Sequence, residues 1–592
     1  MRKVVAFAAL AIMSVAALPG SGQELSAPEK NFEFVWRFFN ANYATFPAKH
    51  IDWQALYAVY RPRVTARTTD DELFAILSQL LGPLNDNHVQ FRSLDPLRVY
   101  MSGYLWDHFG SLGLDRVMGV LQSRPAPARY FPKPPVESDN KVFVHAWLAD
   151  GIGYLHLNSF QDEDGSIKAL DGILEDFREA RAIVVDVRRN SGGDDHLGRL
   201  LASRFADRKR LYMTTQDRNG PRHDDYDPPR HFFVEPLGPR QFTGTVILLA
   251  NRLSLSAAEN FTLAMRILPH VTVLGDFTSG CFADMETVTM PNGWQFSYAK
   301  NLFLDWRGFC WEGIGVPPDL KFKADEMAPP SDGDPVLDMA MALIRSGKLG
   351  LQDPAEGTEG TVSLASLLEK DLEQGGPAKA VEALERRKEE VGRTDYYLDF
   401  FELAGLGTKL FRSGRNAEGE AIFVLLDRLY PGVAQANEQL AMEYLRLNRK
   451  ADARAELEKA LARRQAKLNP CARQFAEYLV DRLLLTSVGG SGVDLRAECD
   501  ALQKQYPEQF NESVLNRAGY KLLGASRLTE AIAAFQLNTE RYPLSANTWD
   551  SLGEAFMTAG QKKKASACYE KSLQLDPKNQ NAADKLKELR GK

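Results

Sequence analysis

Several things this chain has little of narrow its possible roles. Only five of its 592 residues are cysteines, and none lies in a Cys-x-x-Cys pair or a His/Cys cluster, so no structural zinc is expected. No block of lysine or arginine stands out, and the net charge is only -6. That excludes the basic footprint of a nucleic-acid binder. Beyond the first residues no apolar run is long enough to span a bilayer. An odd number of cysteines cannot all pair. In an oxidising compartment, Cys281–Cys310 and Cys471–Cys499 are the local disulfides to test.

The amino terminus reads MRKVVAFAALAIMSVAALPGSGQ. Two basic residues, a short apolar run and small residues have the layout of a secretory signal peptide over residues 1–22. No cysteine follows the run to carry a lipid. A periplasmic or secreted protein starting near Gln23 is therefore expected.

The length calls for two to four domains. Residues 27–95 form a predicted helical cap, with apolar residues at helical spacing in EKNFEFVWRFFNANYA and DDELFAILSQLLGPLNDNH. Residues 96–325 form an α/β core, because short runs such as AIVVDVR, TVILLAN and VTVLG alternate with helical stretches. The Pro-rich stretch from Asp95 to Asn140 shows no clear period. A Pro/Gly/Asp-rich linker is placed at 326–335, and 336–592 is helical. In the helical part Gly519 recurs as Gly553, Ala531 as Ala565, Phe535 as Tyr569 and Pro543 as Pro577, each 34 residues on. That is the tetratricopeptide period, clearest over 513–546 and 547–580. Leu410/Tyr444 and Phe423/Leu457 keep the same offset less completely. Such repeats point to a protein partner, or to a purely structural helical tail.

Two stretches carry chemistry. In RLSLSAAENF, Ser256 stands where an apolar strand turns into a helix. It is either a helix N-cap or a nucleophile at a terminus whose N–H groups meet developing negative charge. In AIVVDVRRNSGGDDHLG, Gly192 and Gly193 let the backbone approach a ligand closely. His88, in LNDNHVQF, follows a cap helix, and Glu312 lies in CWEGIGVPPD.

The phrases IGYLHLNSF, IVVDVRRNSGG, ILLANRLSLSAAENF, VLGDFTSG and WEGIGVPPD, in that order, resemble the tail-specific protease family of serine peptidases. The likeness is closer to its tricorn and interphotoreceptor retinoid-binding-protein-like branch and covers about residues 28 to 325. It implies a crotonase-like α/β core with an N-terminal helical cap and a C-terminal all-α tetratricopeptide region. It also implies Ser256 as nucleophile, His88 as general base, Glu312 as an orienting carboxylate, and an oxyanion hole from Gly192 or Gly193 with Ala257. Ser254 is then a neighbour. The tail-processing branch uses a Lys where TSGCFADM offers Cys281, with Met285 in place of its Gln, so a Ser–Lys mechanism is not available. Tricorn-like members place a Ser before the His, where this chain has Asn87, a possible orienting group.

The implied activity is acyl-enzyme hydrolysis of peptides or unfolded segments, with no metal or organic cofactor. The competing readings are an inactive binding relative and an esterase using the same serine. Cys281 is a weaker candidate nucleophile. Among other histidines, His145 lies near the core, His156 reads as a structural strand residue, and His196 is the rival to His88.

Overall fold

A computed structural model describes residues 25–95, 98–103, 124–323, 333–347, 362–391, 396–472, 474–489 and 495–590. The leader at 1–22 and linker residues 326–332 lie outside them. Three cap helices follow from the amphipathic spacing: α1 (Ala27–Asn42), α2 (Trp53–Tyr60) and α3 (Asp70–Leu81). Thr69 caps α3, exchanging bonds with Glu72, and Asp70 and Asp71 sit in its positive first turn. Leu73, Leu77, Leu80 and Leu81 face inward and are buried. Asn85, at a φ of 44°, then turns the chain past His88 into β1 (Gln90–Arg92) and β2 (Val99–Met101).

Next come β3 (Val136–Glu137), β4 (Phe143–Leu148) and β5 (Ile152–Leu157), an antiparallel meander. Helices and strands then alternate through α4 (Glu163–Asp176), β6 (Ala182–Asp186) and α5 (Asp195–Ala202). The antiparallel pair β7 (Arg210–Asp217) and β8 (Arg230–Val234) precedes β9 (Thr245–Ala250), α6 (Ala257–Arg266) and β10 (Val271–Gly275). Four more strands follow: β11 (Met285–Thr289), β12 (Gln295–Ala299), β13 (Asn301–Asp305) and β14 (Leu320–Lys321). Helix α7 (Pro335–Ser346) lies beyond the linker.

The main sheet runs β14-β10-β9-β6-β5-β4-β3, parallel from β5 to β14. Every residue of β6 and β10 is buried, as a sheet covered on both faces requires. A second sheet, β11-β12-β1-β2, stitches the cap to the core by setting Phe91 opposite Phe296. Phe32, Phe39 and Leu77 of the cap therefore share one apolar core with Val185 and Phe261. Helix α7, assigned by sequence to the tail, packs on the main sheet through Val336, Leu337 and Ala340. The half-buried Arg188, just past β6, helps fix it there, bridging Asp186 at 2.7 Å and Asp334 at 2.6 Å.

Paired helices build most of the rest: Phe400–Arg412 with Asn416–Leu429, Gln435–Arg446 with Lys450–Ala466, Glu512–Gly524 with Leu528–Arg541, and Ala546–Thr558 with Lys562–Leu575. In three of the four pairs a glycine on the first helix receives a ring from the second. A Cβ at Gly519 would lie 2.6 Å from Phe535, one at Gly553 2.9 Å from Tyr569, and one at Gly407 2.8 Å from Phe423. The recurring glycine thus permits the close crossing that the 34-residue period reports. The tail docks on the core: His231 Nδ1 lies 2.9 Å from Asp399, Arg230 stacks 4.2 Å over Phe401, and Asn42 Nδ2 donates to Cys471 O at 2.8 Å.

Cys281, Cys310, Cys471 and Cys568 are thiols, so neither anticipated disulfide is formed. Cys471 sits in a loop against the cap, whereas Cys499 faces the helical core; Cys281 is buried, and Cys310 lies in a partly exposed turn. Among the described residues no helix is long and apolar enough to cross a membrane.

Candidate active site

Four of the five phrases run off the carboxyl ends of parallel strands, where open α/β sheets place their sites, and the fifth, before β14, joins them through Gly313 N–H to Gly280 O and Thr278 N–H to Val316 O. Ser256 follows β9 and opens α6 with φ 54° and ψ -121°. A non-glycine residue there is strained, and such strain needs an over-determined surrounding. Glu259 supplies it. Fully buried, it accepts Ser256 N–H at 3.2 Å, Cys281 N–H at 2.7 Å, Gly280 N–H at 2.6 Å and the Thr278 hydroxyl at 2.6 Å. Burial pushes its carboxyl up to about 7 despite these donors. Ser254 is turned away, its hydroxyl donating to Val187 O at 2.8 Å.

The glycine pair lies against the serine. A Cβ at Gly192, where φ is 93°, would come within 2.8 Å of Ser256 Cβ and of Leu255 O, and 3.0 Å of Ala257 N. A Cβ at Gly193, with φ 141°, would strike Phe160 O at 2.2 Å. The Gly192 N–H is already committed to Asn190 Oδ1 at 2.9 Å. That bond occupies the Gly192 donor in this conformation. Gly193 remains beside it, and Ala257 contributes one of the first-turn N–H groups of α6.

The loop from Thr278 to Ala283 joins the serine side to the histidine side. Its Cys281 carbonyl accepts Ser256 N–H at 3.0 Å. Its Ser279 hydroxyl accepts Asn87 Nδ2 at 2.8 Å. Its Phe282 and Ala283 N–H groups donate to Glu312 Oε2 at 3.0 and 3.1 Å. One side-chain donor from each of Asp86, His88 and Glu312 lies within 4.8 Å of the other two. Asp86 Oδ1 accepts the His88 N–H at 2.9 Å, while Oδ2 accepts the Tyr43 hydroxyl at 2.7 Å. Lys49 Nζ donates to Tyr43 at 2.9 Å and lies 3.6 Å from Asp86.

Burial holds the His88 ring below its usual pKa, against an opposing pull from Asp86. The ring is then a neutral base near pH 7. Burial, with Asp86 adjacent, lifts Glu312 well above the usual carboxylate range. Asp86, Tyr43, Lys49 and Glu259 were not singled out as site residues in the sequence. The Asp two positions before His88 and the Glu three after Ser256 were the available signals.

The other candidates fall outside this cluster. His196 is exposed, its Nδ1 2.9 Å from Arg199. His156 is buried in β5, 3.9 Å from Asp186, and His145 lies 4.0 Å from Asp176. The Cys281 thiol is fully buried, and burial beside Glu312 raises it far from the thiolate form a nucleophile needs.

Residues 151–322 match the Peptidase family S41 model, residues 27–82 the Tricorn protease C1 domain, and residues 434–467 and 546–579 tetratricopeptide repeats. Tricorn protease homolog 1 of Streptomyces coelicolor is 27% identical over 337 residues, covering 54% of this chain. The chain spans only 27% of that relative's length. A solved Parabacteroides merdae protein, a candidate peptidase, is 28% identical with a TM-score of 0.44, covering 54% of this chain and 97% of its own. Mature CPAF aligns at 12% identity with a TM-score of 0.42, over 55% of this chain and 98% of its own. Residues 27–322 thus resemble a tricorn-type helical cap followed by a family S41 peptidase core, with tetratricopeptide repeats behind them.

Proposed function

We propose that this chain is an exported serine peptidase acting on peptides or unfolded protein segments. The observation that carries the reading is the strained backbone of Ser256 at the β9–α6 junction, held by Glu259 and touched by Gly192. Ser256 Oγ attacks the scissile carbonyl while His88 takes its proton. The oxyanion is met by the N–H groups of Gly193 and Ala257. His88 returns the proton to the leaving amine, and an acyl-enzyme remains on Ser256. Water then adds to the ester, with His88 again as base, and the acid product leaves. Asp86 accepts the His88 backbone N–H, Glu312 has a carboxylate oxygen within 4.8 Å of a ring nitrogen, and Asn87 ties the backbone before it to Ser279. The leader at 1–22 supports export, and the helical repeats offer a surface to a substrate or partner protein.

A fluorophosphonate probe tests the assignment. Wild-type protein should label, and Ser256→Ala and His88→Ala should not. A wild type that never labels would leave an inactive binding relative. Labelling with turnover of small esters but no peptide would leave an esterase.

A further inference from the structure

We propose that Asp86, His88 and Glu312 form a binding site for one Zn²⁺ ion, and that filling it disables His88 as a base. The regulatory half rests on the catalytic reading of His88 above; the site itself rests on geometry alone. One donor atom from each residue lies within 4.8 Å of the others, and none of the three is more than 8% exposed. Two donors in this pocket lack partners: His88 Nδ1 and Glu312 Oε1 are buried without a hydrogen bond. Buried polar atoms are almost always satisfied, and an ion is one of the explanations for an exception. Glu312 Oε2 is already fixed by Phe282 and Ala283, so Oε1 is held in place for a further contact. The Asp86 oxygens each accept one bond, and each carboxylate oxygen can accept a second.

The donor set suits the ion. Imidazole nitrogen with carboxylate oxygen favours zinc over magnesium or calcium, which take oxygen alone. Donors on a tetrahedral zinc stand about 3.4 Å apart, so the triangle closes by at most about 1.4 Å through turns of the side chains. The one ammonium beside the triangle, Lys49, stands 3.6 Å from Asp86. Lys49 therefore opposes the cation, and zinc, by displacing the Glu312 proton, adds the second carboxylate to the site. Once zinc takes the lone pair of either ring nitrogen, the other nitrogen carries the hydrogen. The ring then has no lone pair for the serine proton.

The test uses the full chain carrying Ser256→Ala, which keeps the triangle intact, titrated calorimetrically with ZnCl₂. One equivalent should bind, and Co²⁺ should give the visible absorption of a tetrahedral site. Adding Glu312→Gln should weaken binding at least tenfold, His88→Phe should do the same, and Lys49→Gln should tighten it several-fold. Circular dichroism and the melting temperature check that each variant is folded. In the wild type, Zn²⁺ should stop fluorophosphonate labelling and a chelator should restore it. No binding, or binding indifferent to both Glu312→Gln and His88→Phe, would overturn the site. Labelling that persists with zinc bound would overturn the blocking of His88. If the wild type never labels, the hydrolase reading falls, while calorimetry still decides the metal site.

Discussion

Replacing Gly192 by alanine isolates one contact on which the proposed chemistry depends. The added methyl would lie 2.8 Å from both Ser256 Cβ and Leu255 O. Carbon atoms at rest stand about 3.5–4.0 Å apart, so the glycine loop must retreat from the serine by about 1 Å. The backbone φ of 93° adds strain for any residue with a Cβ. Overpacking and the left-handed conformation together cost about 2–4 kcal/mol, which a multidomain chain can survive. The catalytic effect is larger. Gly193 moves with its neighbour, and losing one oxyanion donor costs about 100- to 1000-fold in kcat. Gly198 supplies the control: its Cβ would meet Ala257 O at 3.5 Å, ordinary contact, within α5. Gly198→Ala should fold as well as wild type or better and keep its activity. Urea unfolding and kcat/KM on a fluorogenic peptide would be measured for both variants. A Gly192→Ala enzyme that cleaves like Gly198→Ala would refute the placement of the oxyanion hole.

Further expectations concern the base, the frame and the repeats. Because burial lowers the His88 pKa, the neutral ring persists to lower pH; the acid limb of the kcat/KM profile should fall below pH 6.5. A limb centred above pH 7 would count against His88. Arg188→Met strands Asp186, which is buried with 0% exposure, and should destabilise the core by about 3–5 kcal/mol, measured by chemical denaturation. Gly519→Ala drives a methyl to 2.6 Å from Phe535. It should loosen the last repeats by about 1–3 kcal/mol, seen as faster hydrogen exchange over 512–541, while small-peptide turnover by the core is unchanged.

What could be read in advance depended on whether a residue's role is set by its neighbours in the chain. The β9–α6 junction and the glycine pair were legible because a strand ending in a turn and a helix writes itself into consecutive residues. The 34-residue tail period was legible for a similar reason: Gly519 and Gly553 each accept a ring sixteen positions later. Where the role came from distant chain, the sequence was silent. Gly192 and Gly193 look interchangeable until Asn190 takes one N–H and leaves the other. Helix α7 follows a linker and so reads as tail; its ties to the sheet come from distant chain, among them Arg188, 146 residues before Asp334. Tyr43 and Lys49 carry no pattern, yet they buttress the Asp86 beside the base. The cap looked separable because its helices are local, but His88 is set by a strand that pairs with β12, about 200 positions on, and by Ser297, whose hydroxyl donates to His88 O at 2.6 Å. A base held by partners from both ends of the core cannot be released by opening the cap without also breaking that sheet. Substrate entry must therefore leave the β1–β12 pairing intact.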